Sequence, residues 1–401
     1  MKLRNLFLAT LAAMAITSCS NENDPIDNGE IAEKAIFNFS IALPSSGLTR
    51  ADATNPGTLQ EQKVNDITLV LEYPSGTAPF TNTYPVSDFD VTENVYTLKK
   101  GITVNPGNAN LFVYVNNNEA PEETVETTVG TGLGNYASTT GEGNFFMSGK
   151  SDEVFSIVAN QTNTAPTIKV DRIAVKLDEI TPEYTFTPTA LSIKKDDATE
   201  MTITLTDYAY SNLNKKSYAL AGTKYYTAGD FFNAFVENRE TKLWDTFATT
   251  YPMGNNVTYC FENGTTEPTK IYYKANVTIT DVAEGANFYI YDNTLYKNFD
   301  LLNNKFGGSL SDADGYNLSD DSTNAEFAAV GVRKYTAGIC YYPAVISEIG
   351  IDRNNWYKIK VTGIKDLGLP EIDTPPPGNP TLLIFFVEVN PWNVWNKDIE
   401  L

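Results

Sequence analysis

Histidine is absent from all 401 residues, and with it go the usual general base, the physiological proton shuttle and the commonest zinc ligand. Cysteine occurs three times, at Cys19, Cys260 and Cys340. No spacing among them resembles a metal site, and the last two leave open one disulfide or two buried thiols. Lys and Arg total 29 against 50 acidic residues, a net charge of −21, and only six of the 29 are arginine. Such a chain lacks the basic clusters that nucleic acid or an anionic bilayer requires, so neither is expected as a partner. Beyond the N-terminus no run reaches the roughly 18 apolar residues of a spanning helix.

What is present is a folded, strand-rich composition: 42% hydrophobic residues, 23 tyrosines and 21 phenylalanines. The length suits about two domains of roughly 150 residues. The N-terminus reads as an export signal, with Lys2 and Arg4, an apolar run from Leu6 to Ile16, and "ITSC" ending at Cys19. That ending resembles the lipobox of bacterial lipoproteins, in which the cysteine thiol takes the lipid. The alternative is an ordinary secretory signal with a chance cysteine. A short polar tether, "SNENDPIDNGE", follows.

The first strong strand signal is "AIFNFSIAL", where Ala35, Phe37, Phe39, Ile41 and Leu43 are apolar and Asn38 and Ser40 alternate with them. Further strands are predicted at 64–74, 109–117 and 154–160, then from "IKVDRIAVKLDEI" onward, with the domain boundary near residue 167 after the polar link "QTNTAPT". Only Ala228 to Phe247 has a helical apolar face. The glycines of "GTGLGNYASTTGEG" form no phosphate cradle, since no GKS/T accompanies them. Near the end, "EIDTPPPGNP" is a stiff spacer, and Leu382 to Val389 is apolar on both faces apart from Glu388, as a central, doubly buried strand is.

Arg50 lies in the turn "PSSGLTRADATNPG", an exposed-turn composition that suits trypsin-like cleavage before Ala51. Cutting there would release the first strand and open an apolar groove with unpaired backbone groups. A neighbour's final strand has matching character: Leu383, Phe385, Val387, Val389 and Trp392 could fill the places of Phe37, Phe39, Ile41 and Leu43. Repeated head to tail, such a contact does not close and makes a filament. Alternatively, Arg50 is a solvated loop residue and the final strand is ordinary core.

"LTRADA", "KGITV", "VDRIAVKL", and above all "IDRNNWYKIKVTGIKDLGLP" followed by the spacer and "FFVEVNPWNVWNKDIEL" resemble the fimbrillins of type V pili, closest to the minor (short) fimbrium major-subunit branch. The resemblance is specific over about 351–401 and a matter of style over 180–330. It implies an all-β chain of two transthyretin-like β-sandwich domains with a short helical insertion. The divisions are a signal peptide (1–18), a propeptide with the first strand (19–50), sandwiches at 51–167 and 168–370, a spacer (371–380) and a donor strand (381–401). It further implies lipid on Cys19, outer-membrane passage, arginine-specific cleavage between Arg50 and Ala51, and donor-strand exchange into a cell-surface fimbrium with a role in adhesion. The partners implied are copies of the chain and related pilins, an arginine-specific protease and host surface ligands. The retained tail favours a shaft subunit.

No enzyme activity, metal or cofactor is expected. Asp178 with Glu179, or Asp196 with Asp197, could supply the two acids of a glycosidase, but neighbours on a strand point to opposite faces. In "RNNWY", Arg353 is read as a structural pairing residue, with Trp356 and Tyr357 in a strand. The sequons at Asn256 and Asn276 belong to a glycosylation pathway that a bacterial lipobox argues against. The competing class is a surface-anchored glycan-binding lipoprotein, its tyrosines and four tryptophans serving as stacking platforms.

Overall fold

The computed structural model describes residues 33–43, 61–117, 124–126, 130–131, 145–214, 216–220, 239–240, 251–253, 257–265, 268–312, 314–372 and 382–391. Cys19, Arg50, Ala51, Trp392, Asn256, the glycine-rich loop beyond Thr131 and most of the spacer lie outside them. From Lys34 onward the chain forms one compact unit, built almost wholly of strands, with two large cores.

The first core is a sandwich. One layer centres on the strand Asp66–Glu72, flanked by Phe80–Pro85 and Gly107–Val115, with Met147–Lys150 and Asp171–Arg172 beyond. The other layer is organised around Ala35–Asn38 and Ser40–Ala42, which follow one another with only Phe39 between. Alternation places Phe37, Phe39, Ile41 and Leu43 inward against Leu69, Leu111 and Val113, while Ile36 faces out.

The chain passes from this core to the second between Val170 and Val175, because Ile168–Lys169 and Asp171–Arg172 still pair with first-sandwich strands. Buried polar groups fasten the junction. The Glu61 carboxylate pairs with Lys176 at 2.9 Å and accepts from Tyr259 Oη, and the Glu61 carbonyl accepts from Arg172 Nε at 3.0 Å.

The second sandwich sets one layer, in the order Leu213–Asn214, Val257–Phe261, Ala174–Glu179, Asn355–Ile364 and Leu383–Pro391, against Met201–Ser211, Lys270–Ile279 and Ile339–Val345. Its core is rich in tyrosine: Tyr208, Tyr210, Tyr273, Tyr335, Tyr342 and Tyr357 are all buried. Cys260 and Cys340 are both buried and free, which closes the disulfide alternative.

Of the expected helix Ala228 to Phe247, only Arg239–Glu240 is described, as a short strand on Leu213–Asn214, where its backbone satisfies an otherwise open sheet edge; the rest of that span lies outside the described residues. The described α-helices are Phe299–Lys305 and Asn324–Ala329, packed in a small module of their own with Tyr289, Leu310 and Leu318. They are too short to show a helical period, and their signal is in the caps. Asn298 accepts from Leu301 N at 2.9 Å, and Thr323 and Glu326 close a capping box. One expectation is corrected: among the described residues the final strand is an edge strand and not a central one. It pairs with Asn355–Ile364 on one side, no described strand lies on its other side, and its Ile384 and Phe386 face is exposed, Phe386 by 59%.

Candidate strand-exchange site

The first strand is held from both sides. On one flank it runs parallel to Thr162–Thr164 and Ile168–Lys169, pairing Ile36 with Thr162 and Ile41 with Ile168. On the other it runs antiparallel to Ile102–Val104 and Val95–Leu98, pairing Ile36 with Thr103 and Ile41 with Tyr96. Further backbone bonds fill the joints: Ile36 N to Gln161 O at 3.0 Å, Ala165 N to Asn38 O at 3.0 Å, Leu98 N to Phe39 O at 3.2 Å and Val170 N to Ala42 O at 3.0 Å. The Leu43 carbonyl accepts from Asn94 Nδ2 at 2.8 Å.

Aromatic contacts set the strand's inward face. The Phe39 ring lies 5.8 Å from Phe89 and 6.2 Å from Tyr84, and Phe37 meets Phe155 edge-on at 5.8 Å. Burying the four large side chains, at about 1.5–3 kcal/mol each, contributes on the order of 10 kcal/mol. That matches the whole stability of a typical domain, about 5–15 kcal/mol. A first sandwich emptied of this strand must therefore be refilled or unfold.

The final strand is held less firmly. Its register runs from Asn355 opposite Pro391 to Ile364 opposite Leu383, and among the described residues it pairs on that edge only. Leu383 is fully buried, Phe385 and Val387 are half-buried against the second core, and Val389, near the strand's end, is half exposed. Less apolar area and a single hydrogen-bonded edge make this strand cheaper to lift than the first.

Sequence reasoning found both strands but missed the two walls of the groove. The polar link "QTNTAPT" holds the strand Thr162–Thr164, in which Asn163 donates from Nδ2 to the Ile36 carbonyl at 3.3 Å. Its polar residues and Pro166 hide the period, as is usual for an edge strand. "KGITV" contains the opposite wall, Ile102–Val104.

The remaining candidates serve the fold. Arg353 is buried and grips Glu262 with two nitrogens, Nε to Oε2 at 2.9 Å and a terminal nitrogen to Oε1 at 2.5 Å, while also donating to Ser217 Oγ at 3.1 Å. Asp178 and Glu179 point to opposite faces, as expected: Asp178 accepts from Trp356 Nε1 at 3.2 Å, and Glu179 turns inward to Thr181 and Tyr273. Burial holds both carboxyls above the usual carboxylate range.

Glu179 gives a test of that environment. Its raised folded value means that its contribution is full below the ordinary carboxylate pKa and is lost as pH rises through the folded value. Glu179 Oε2 has no hydrogen-bond partner, so an amide nitrogen can take its place. Glu179→Gln is expected to raise the melting temperature at pH 7, where the buried carboxylate is costly. At pH 4 the two proteins should melt together in the same calorimetric scan.

No family model matches the chain, and no curated protein matches it. Solved structures do. The chain is similar to a fimbrilin from Porphyromonas gingivalis at 17% identity and a TM-score of 0.49, over 91% of this chain and 99% of that one. It is similar to a protein provisionally described as a cell adhesion protein from Parabacteroides distasonis, at 14% identity and a TM-score of 0.49, over 90% and 99% of the two chains. A C-terminally truncated tip fimbrial protein from Porphyromonas gingivalis is similar at 11% identity and a TM-score of 0.39, over 90% and 100%.

Proposed function

We propose that this chain is a structural subunit, of the shaft, in a cell-surface fimbrium. It is exported as a lipoprotein anchored in the outer membrane through Cys19, cut between Arg50 and Ala51 by an arginine-specific protease, and polymerised by donor-strand exchange. The final strand of one copy, with Leu383, Phe385, Val387 and Val389 on its inward face and Trp392 beyond, takes the place of Phe37, Phe39, Ile41 and Leu43 in the next. Adhesion to host surfaces is the task of the assembled filament.

One observation carries the reading: a strand just N-terminal to a candidate cleavage turn sits in the middle of its layer, hydrogen-bonded on both flanks and fully buried on its inward face. Its removal leaves two unpaired edges and four empty side-chain sites, which is a template for an incoming strand. The final strand supports the donor role, being apolar on both faces yet lying on a single open edge.

The test is the N-terminal residue and size of the protein released from its cell surface, by mass spectrometry and non-boiled gel electrophoresis. Ala51 at the start and a ladder that collapses on heating are expected. Ending the chain at Pro380 should abolish the ladder and leave a monomer with an intact first sandwich. A lipidated Cys19 start and a single monomer band would overturn the proposal in favour of a surface-anchored lipoprotein.

A further inference from the structure

A cleft of about 420 Å³ opens where the loop after Ile193 meets the small helical module, lined by Lys194, Lys195, Asp196, Leu295, Tyr296 and Lys297. The volume lies within the roughly 300–1,000 Å³ of small-molecule sites. No part of it belongs to the strand groove or to the final strand, so it bears on a property beyond polymerisation.

Its walls are preformed. Lys194 N donates to Asn293 O at 2.6 Å and Leu295 N donates to Lys194 O at 3.0 Å, which locks the loop to the strand Thr294–Tyr296. The same two bonds occupy that strand's edge, so an extended peptide finds no open backbone ladder here. Side chains must do the reading.

Their charges select the ligand. Lys297 Nζ is neutralised by Asp281 at 3.2 Å, and Lys195 Nζ donates to the Thr199 carbonyl at 2.5 Å. The exposed Lys194 ammonium makes no hydrogen bond or ion pair among the described residues. Lys194 and Lys195 against Asp196 leave one net positive charge over an apolar strip of Leu295, Tyr296 and the half-exposed Leu301, on a chain whose total is −21. One carboxylate fits that balance and a polyanionic surface does not. The strip suits the apolar face of a pyranose ring, with lysine donors and the Asp196 acceptor for its hydroxyls.

We infer that this cleft binds a monocarboxylated sugar of the uronic-acid type, the Lys194 ammonium receiving its carboxylate. The experiment titrates the full, uncut chain with a hyaluronan disaccharide, which carries one carboxylate, and, separately, with neutral N,N′-diacetylchitobiose, by calorimetry. The hyaluronan fragment should bind at least about tenfold more tightly than the neutral sugar, an ionic contribution that fades in high salt. Lys194→Glu should weaken it by about tenfold and Lys194→Gln by less, with the melting temperature of both variants unchanged, since the side chain is exposed. No binding of the hyaluronan fragment, equal binding of the two sugars, or undiminished binding by Lys194→Glu would each overturn the inference. The uncut monomer is used throughout, so the result stands apart from filament formation.

Discussion

Phe39→Ala is expected to cost the uncut chain about 3–5 kcal/mol and to leave the heat stability of a filament of Ala51-starting subunits unchanged. Phe39 is 1% exposed and sits between Phe89, Tyr84 and Phe37, in a layer with little freedom to collapse around a missing ring. The filament is indifferent because, under the proposal, the ring has left with its strand. Phe385→Ala should behave in the reverse way. On its own subunit Phe385 is half-buried on an edge strand, so the uncut monomer should lose only about 1–2 kcal/mol, whereas under the proposal the same ring is enclosed in the groove of a neighbour. Thermal unfolding of the monomer, compared with the temperature at which the ladder collapses on a gel, reads both changes. Equal losses in monomer and filament would refute exchange.

The second large effect lies at Arg353. Arg353→Met leaves the Glu262 carboxylate buried with its principal partner gone, and breaking a buried pair in this way costs about 3–5 kcal/mol. The melting temperature of the second sandwich should fall by about 10 °C, at roughly 2–4 °C per kcal/mol. Combining it with Glu262→Leu should recover most of the loss, because the desolvated charge is then gone. Calorimetry on the single and double variants decides it: a double variant no better than the single would mean that the bonds from Arg353 to Ser217 and the Tyr218 carbonyl dominate.

Much of this was legible in the residues. The alternation of Ala35 to Leu43 gives both the strand and its inward face, because a period of two is unambiguous when one face is wholly apolar. The structural role of Arg353 was legible too. The final strand misled: an apolar run on both faces reads as central burial, and only the sheet order reveals that Ile384 and Phe386 stand uncovered. The groove walls were hidden because pairing partners far along the chain leave no local pattern, as with Ser40 Oγ and Thr167 Oγ1 at 2.8 Å. The two short helices escaped because six or seven residues cannot display a helical period, although the Thr323–Glu326 spacing was there to be read.

The interior position of the first strand also governs how the chain can reach its native state. Ile36 meets Thr103 on one side and Thr162 on the other, so the layer closes only when segments on the order of a hundred residues apart are brought together, a slow, high-contact-order step. The first strand is thus the element with which both walls pair. Under the proposed cleavage, a chain that begins at Ala51 keeps walls that paired with a strand it no longer carries. Once denatured, such a chain should fail to renature alone, while the uncut chain refolds, so the cut makes unfolding irreversible.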